Sequence, residues 1–140
     1  MADESIRING TDGQRLGGNF YDAVGGKETF RRLTEYFYEG IASDEILRPM
    51  YPEDLAPAAE RMQLFLEQYW GGPTTYQELR GHPRLRMRHS PYKINPDARD
   101  RWLGHMRNAV IRIELPPLLE AELWSYLERA AQSMLNTFEA

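Results

Sequence analysis

Between Arg80 and Ile94 the sequence reads RGHPRLRMRHSPYKI, placing four arginines, one lysine and two histidines around Pro83 and Pro91. Clustered arginine is how proteins neutralise phosphate backbones, and it is also how they hold one small, doubly anionic ligand. Pro83 suits the first turn of a helix, and Ser90, preceding Pro91, is biased away from helical geometry. The spacing therefore predicts a helix of about two turns from Pro83 to His89, with the imidazole at its end. Leu85 and His89 lie four residues apart on one face, and Arg84 and Arg88 share an adjacent edge. An apolar face, a cationic rim and a terminal imidazole suit an amphipathic anionic cofactor with a flat apolar body, carboxylates and a metal. Haem has all three parts. On these residues alone a second reading stays open: a cofactor-free helical module that binds an anionic partner through the Arg80–Arg88 strip.

The rest of the composition narrows the field. The formal charge of −4 argues against a general polyanion binder, so any phosphate chemistry is local and no nucleic-acid partner is expected. With no cysteine in the chain, disulfides, thiolate metal sites and cysteine nucleophiles are excluded. Only His82, His89 and His105 supply imidazole, and a three-histidine zinc site would need all of them. His82, before Pro83, reads as a loop or capping residue, and His105 as a partly buried histidine of the helix that carries Trp102. No apolar run approaches the roughly 20 residues that span a bilayer, and the start MADESIRING lacks the basic-then-apolar order of a signal peptide. The expectation is a cytoplasmic protein with no integral membrane segment.

Helices must position these groups. Residues 1–19 carry four glycines and little apolar content, which predicts a flexible extension before a single domain over 20–140. Phe30, Leu33, Phe37 and Ile41 recur at helical spacing, and Ser43 or Asp44 is placed to cap the turn that Pro49 and Pro52 keep short. Met62, Phe65, Leu66 and Tyr69 form a second stripe, stopped by Gly71-Gly72-Pro73. Asn95 caps a helix bearing Trp102, Met106, Ala109, Val110 and Ile113. Leu123, Leu127, Ala131 and Met134 align on a last helix near Leu118–Leu135. No segment alternates with a period of two, so the fold is expected to be all-α, with about five main helices.

From FYDAVGG to YLERAAQS, through YPED, FLEQYWGGP, RGHPRLRMRH and the helix of Trp102, the chain resembles the truncated haemoglobins, group II, of the actinobacterial type. It departs from them in the glycine-rich extension and the short connector RIELPPLLEA. The resemblance implies a shortened globin fold, a two-over-two helical sandwich around haem b (iron protoporphyrin IX). It places the proximal iron ligand at His89, with Nδ1 bonded to a carbonyl near Leu85. The distal groups fall on Tyr38 of EYFYEG, Tyr51 of MYPED and Trp102 of RDRWLGHM. Ala58 takes the place where many globins carry a distal histidine, and Met62 lines the pocket one turn on. Arg88 and Tyr76, with Arg84, are the implied partners of the haem propionates.

Two phenols and one indole converging on a pentacoordinate iron would stabilise a ligand that becomes negative on binding. The implied function is reversible binding or transport of oxygen. Carbon monoxide, nitric oxide, hydrosulfide, hydroxide and fluoride are further ligands, and a homo-oligomer is compatible with the resemblance. The same site suits peroxidase-like or nitric oxide dioxygenase chemistry. No flavin or nicotinamide motif is present, so turnover would need an external electron donor.

Overall fold

The computed structural model describes residues 19–89 and 92–136, the side chain of Arg86 excepted. Among them there are seven α-helices and no strand: α1 (Phe20–Ala23), α2 (Gly26–Ala42), α3 (Ala56–Tyr69), α4 (Thr75–Arg80), α5 (Leu85–His89), α6 (Pro96–Arg112) and α7 (Pro117–Ser133). Helix α2 packs beside α3 and crosses α6, and α6 packs beside α7, which makes two helix pairs laid over each other. None of these helices is long and apolar enough to cross a membrane. The extension expected to be flexible lies outside the described residues except for Asn19, whose side chain caps α1 at Asp22 N (3.0 Å) and donates to the Gly71 carbonyl (2.8 Å).

The crossing of α2 and α6 is the core, and the helical stripes build it. Phe30, Leu33, Phe37 and Ile41 are all fully buried, facing Met106, Ala109 and Val110, while Leu123, Leu127 and Ala131 close the core from α7. Burying each of the larger side chains is worth roughly 1.5–3 kcal/mol, which outweighs the modest helix propensity of the Phe- and Thr-containing α2. Asn95 caps α6 as its sequence implied, accepting from Ala98 N at 2.8 Å. Gly71 takes φ +100°, a left-handed conformation open to glycine, and ends α3.

Three expectations shift. The predicted two-turn helix at Pro83 shortens to Leu85–His89, because Arg84 takes a left-handed φ of 47° and holds Pro83 outside the helix. Two short helices, α1 and α4, add to the five main segments; at four and six residues they are too short for an apolar period to reveal. Tyr69, assigned to the α3 stripe, is 48% exposed and packs sideways instead, stacking on Tyr126 with centroids 4.1 Å apart.

Candidate functional site

A cavity of about 390 Å³ opens between the helix pairs, within the size range of small-molecule sites. Its walls are largely apolar, with Leu47, Met62, Phe65, Leu66, Met106 and Leu127 contributing side chains from the corner and from α3, α6 and α7. Of the residues singled out in the sequence, His89, Leu85, Arg88, Tyr76, Met62, Ala58, Tyr38, Tyr51 and Trp102 all line it. Arg84 does not; it is exposed, and its backbone is left-handed.

His89 closes α5. Its Nδ1 lies 2.7 Å from the Leu85 carbonyl, one helical turn back. A ring nitrogen facing a carbonyl carries the proton, so Nδ1–H donates and Nε2 keeps its lone pair for a metal. The main chain beneath the ring is pinned as well. The His89 carbonyl accepts from Tyr92 N (3.0 Å) and from Asn136 Nδ2 (3.4 Å), and Asn136 also donates to the Tyr92 carbonyl (2.9 Å) and accepts from Ile94 N (2.9 Å). Asn136 therefore ties the histidine segment to the end of α7. No periodicity marks it, because its partners lie more than forty residues earlier.

Tyr38 comes from α2, Tyr51 from the corner after the 3₁₀ turn Arg48–Met50, and Trp102 from α6. The Tyr38 and Tyr51 rings meet edge to face with centroids 5.7 Å apart, and Trp102 packs on Phe37 at 5.3 Å. Burial pushes the Tyr51 phenol up to about 12, and the neighbouring Trp102 indole opposes the shift. Tyr38 is raised too, by burial first and by its neighbour Tyr51 second, with the Arg61 charge opposing. Both phenols thus keep their protons at neutral pH, and together with the indole N–H they form a set of neutral donors in an apolar setting.

The rim is cationic. Arg61, Arg80 and Arg99 join Arg88 at the cavity. Arg88 turns its Nε to the Pro83 carbonyl (2.7 Å) and its Nη2 to the carbonyls of Arg80 (3.1 Å) and His82 (3.4 Å), so it braces the loop leading into α5 while leaving its charge at the rim. Arg99 is paired with Asp100 and Gln132. Arg61 and Arg80 form no ion pair or side-chain hydrogen bond among the described residues. Arg61 escaped sequence reasoning because, inside the AAERM run, it reads as the solvated face of α3.

The donor set fits haem better than a bare ion. Among the described residues no group of three or more His, Cys, Asp or Glu side chains is placed to hold a metal. One imidazole in an apolar cavity suits a metal that brings its own equatorial ligands, and unpaired arginines at the rim suit a group that brings carboxylates.

The bacterial-like globin family profile matches residues 19–136 of the chain. The chain is 40% identical over 120 residues to the group 2 truncated hemoglobin YjbI of Bacillus subtilis, spanning 86% of this chain and 90% of that one. Among solved structures it is similar to a thermostable hemoglobin from the actinobacterium Thermobifida fusca, with 63% identity, a TM-score of 0.86, and coverage of 87% of this chain and 100% of the other. It is also similar to a truncated oxygen-avid haemoglobin from Bacillus subtilis, at 39% identity and a TM-score of 0.81, covering 85% and 100%.

Proposed function

Because the chain belongs to the group II truncated haemoglobins, and is therefore a haem protein that binds small gaseous ligands, we propose that its cavity takes haem b on His89 and binds oxygen reversibly under the control of Tyr38, Tyr51 and Trp102. The observation that carries this reading is the His89 ring, held by the Leu85 carbonyl at 2.7 Å with Nε2 free at an apolar cavity. Bound haem supplies an iron with one position open to small ligands and two propionate carboxylates.

The chain's own residues do the rest. Leu85 and His89 orient the imidazole, and Met62, Phe65 and Leu127 exclude water from the face of the ring system. Tyr76, Arg88, Arg61 and Arg80 at the cavity, with Arg84 on the adjacent exposed edge, offer a phenol and positive charge to the carboxylates. Ala58 brings no imidazole to the distal side, so discrimination falls to the two phenols and the indole. Neutral donors favour ligands whose bound atom carries negative charge. These are oxygen with ferrous haem, and hydroxide, fluoride or hydrosulfide with ferric haem. Carbon monoxide gains less. The similarity to an oxygen-avid haemoglobin supports slow oxygen release. Nitric oxide dioxygenase or peroxidase-like turnover in the cytoplasm would draw on an external electron donor.

The test is to titrate the apoprotein with haemin, reduce the product, and measure oxygen binding and release. One haem per chain and a stable, slowly released oxygen adduct are expected. Haem that binds and then oxidises at once in air, with no oxygen adduct, would refute the oxygen-binding function.

A further inference from the structure

The corner that carries Tyr51 meets α6 at two places. At the cavity, Tyr51 lines the same pocket as Trp102 of α6. Away from the cavity, His105 Nε2 lies 2.7 Å from Asp44 Oδ2, and Arg101 Nη1 lies 3.3 Å from Asp44 Oδ1. Neither Asp44 nor His105 lines the pocket. Asp44 does organise the segment that leads there. Its side chain is 4% exposed, and Oδ1 accepts the backbone N–H groups of Ile46 and Leu47 at 2.9 Å each, capping the first turn of the corner. Arg48, in the 3₁₀ turn that follows, donates to the carbonyls of Tyr51 (3.4 Å), Pro52 (2.8 Å) and Glu53.

The other edge of the His105 ring rests on α2. A Cβ built on Gly40 would overlap its Nδ1, so the close approach requires glycine there. One imidazole thus touches α2 two residues from Tyr38, belongs to α6 three residues from Trp102, and bonds the head of the corner that ends in Tyr51. These are the three elements that supply the three distal donors.

We propose that Asp44 and His105 form a positioning pair that fixes the register of the corner against α6, and so the placement of the Tyr51 phenol relative to the Trp102 indole at the cavity. The inference rests on the haem-binding function and on the distal roles of Tyr51 and Trp102. The pair touches no ligand; it sets how well the donors reach one. Asp44 stays ionised to support it. Burial pushes its carboxyl up, but the bond to His105, the Leu47 and Ile46 N–H groups and the Arg101 charge together hold it down at about 2.

The experiment uses the haem-loaded full chain. His105→Leu removes the donor to Asp44, whereas His105→Gln keeps an N–H at a similar reach. Three quantities are read: oxygen release, carbon monoxide release, and the infrared stretching band of bound carbon monoxide, which reports the donors facing the ligand. His105→Leu is expected to speed oxygen release by about three- to tenfold, part of what one full donor contributes. Carbon monoxide release should change far less, and the stretching band should shift to that of a less polar pocket. His105→Gln should return all three toward the native values. Gly40→Ala, which displaces the ring without removing its donor, should shift the band in the same direction, and it serves if His105→Leu does not fold. A native oxygen-to-carbon monoxide release ratio and a native band in His105→Leu, or equal changes in His105→Gln, would overturn the proposal. If those appear while Tyr51→Phe still speeds oxygen release, the positioning role alone fails. If Tyr51→Phe is also silent, the distal assignment fails and takes this inference with it.

Discussion

Replacing Tyr51 and Trp102 by phenylalanine, singly and together, should speed oxygen release without the two effects adding. A hydrogen bond to a charged acceptor is worth about 1.5–3 kcal/mol. At roughly 1.4 kcal/mol per tenfold change, losing one such donor speeds release by about ten- to 150-fold. The structure says why the sum should fall short. The Trp102 indole and the Tyr51 phenol line the same pocket and influence one another electrostatically, so removing either ring also changes the other's surroundings, and contacting residues commonly couple by about 0.5–3 kcal/mol. Tyr38, edge-on to Tyr51 at 5.7 Å, remains as a donor in the double variant. Stopped-flow oxygen displacement gives the four rates, with carbon monoxide release as the control for steric effects. Oxygen release should accelerate much more than carbon monoxide release. Equal acceleration of both would mean that the side chains act as a steric gate, and the donor argument would be wrong.

Three further outcomes follow from charge and composition. The Tyr51 phenol holds its proton to about 12 against about 10 in an unfolded chain, and Tyr38 and Tyr126 are raised in the same sense, so the stability these phenols contribute is full below pH 10 and falls as pH rises beyond it. Urea midpoints at pH 9 and pH 11 should show a smaller drop for Tyr51→Phe than for the native chain. Asp44 runs the other way: its carboxyl, held at about 2 against 3.8, contributes stability above about pH 4 that is lost as pH falls toward 2, and thermal melts of Asp44→Asn across that window should show a shallower dependence than the native protein. Deleting residues 1–18, whose sequence holds little apolar surface to bury, should leave the haem absorption spectrum unchanged; a melting point lower by more than about 5 °C would show that the segment docks.

The parts legible in the sequence are those that repeat along a helix. The four-residue stripe of α2, the Asn95 cap and the Gly71 stop each follow from local chemistry, and each appears in the fold. Residues brought together from distant segments leave no such trace. Asp44 could be read as a cap, but its bond to His105 spans 61 positions and His105 reads as a routine half-buried ring. The Asn136 staple beneath His89 is hidden for the same reason. A helix from Pro83 would put Arg84 beside Arg88, and the left-handed turn at that residue, which no local pattern marks, starts the helix at Leu85 instead. Cavity residues such as Tyr51 and Arg61 have no local signature at all. The first came from the resemblance to a family, and the second only from the fold.

The most direct test of the account is the axial ligand of the haem iron in His89→Gly, read by resonance Raman of the reduced protein with and without added imidazole. The native chain should show an iron–histidine stretch that vanishes in His89→Gly and returns when imidazole fills the space, while His82→Gly leaves it in place. An unchanged iron–histidine stretch in His89→Gly would mean that another histidine holds the iron, and the site built on the His89–Leu85 contact would be wrong.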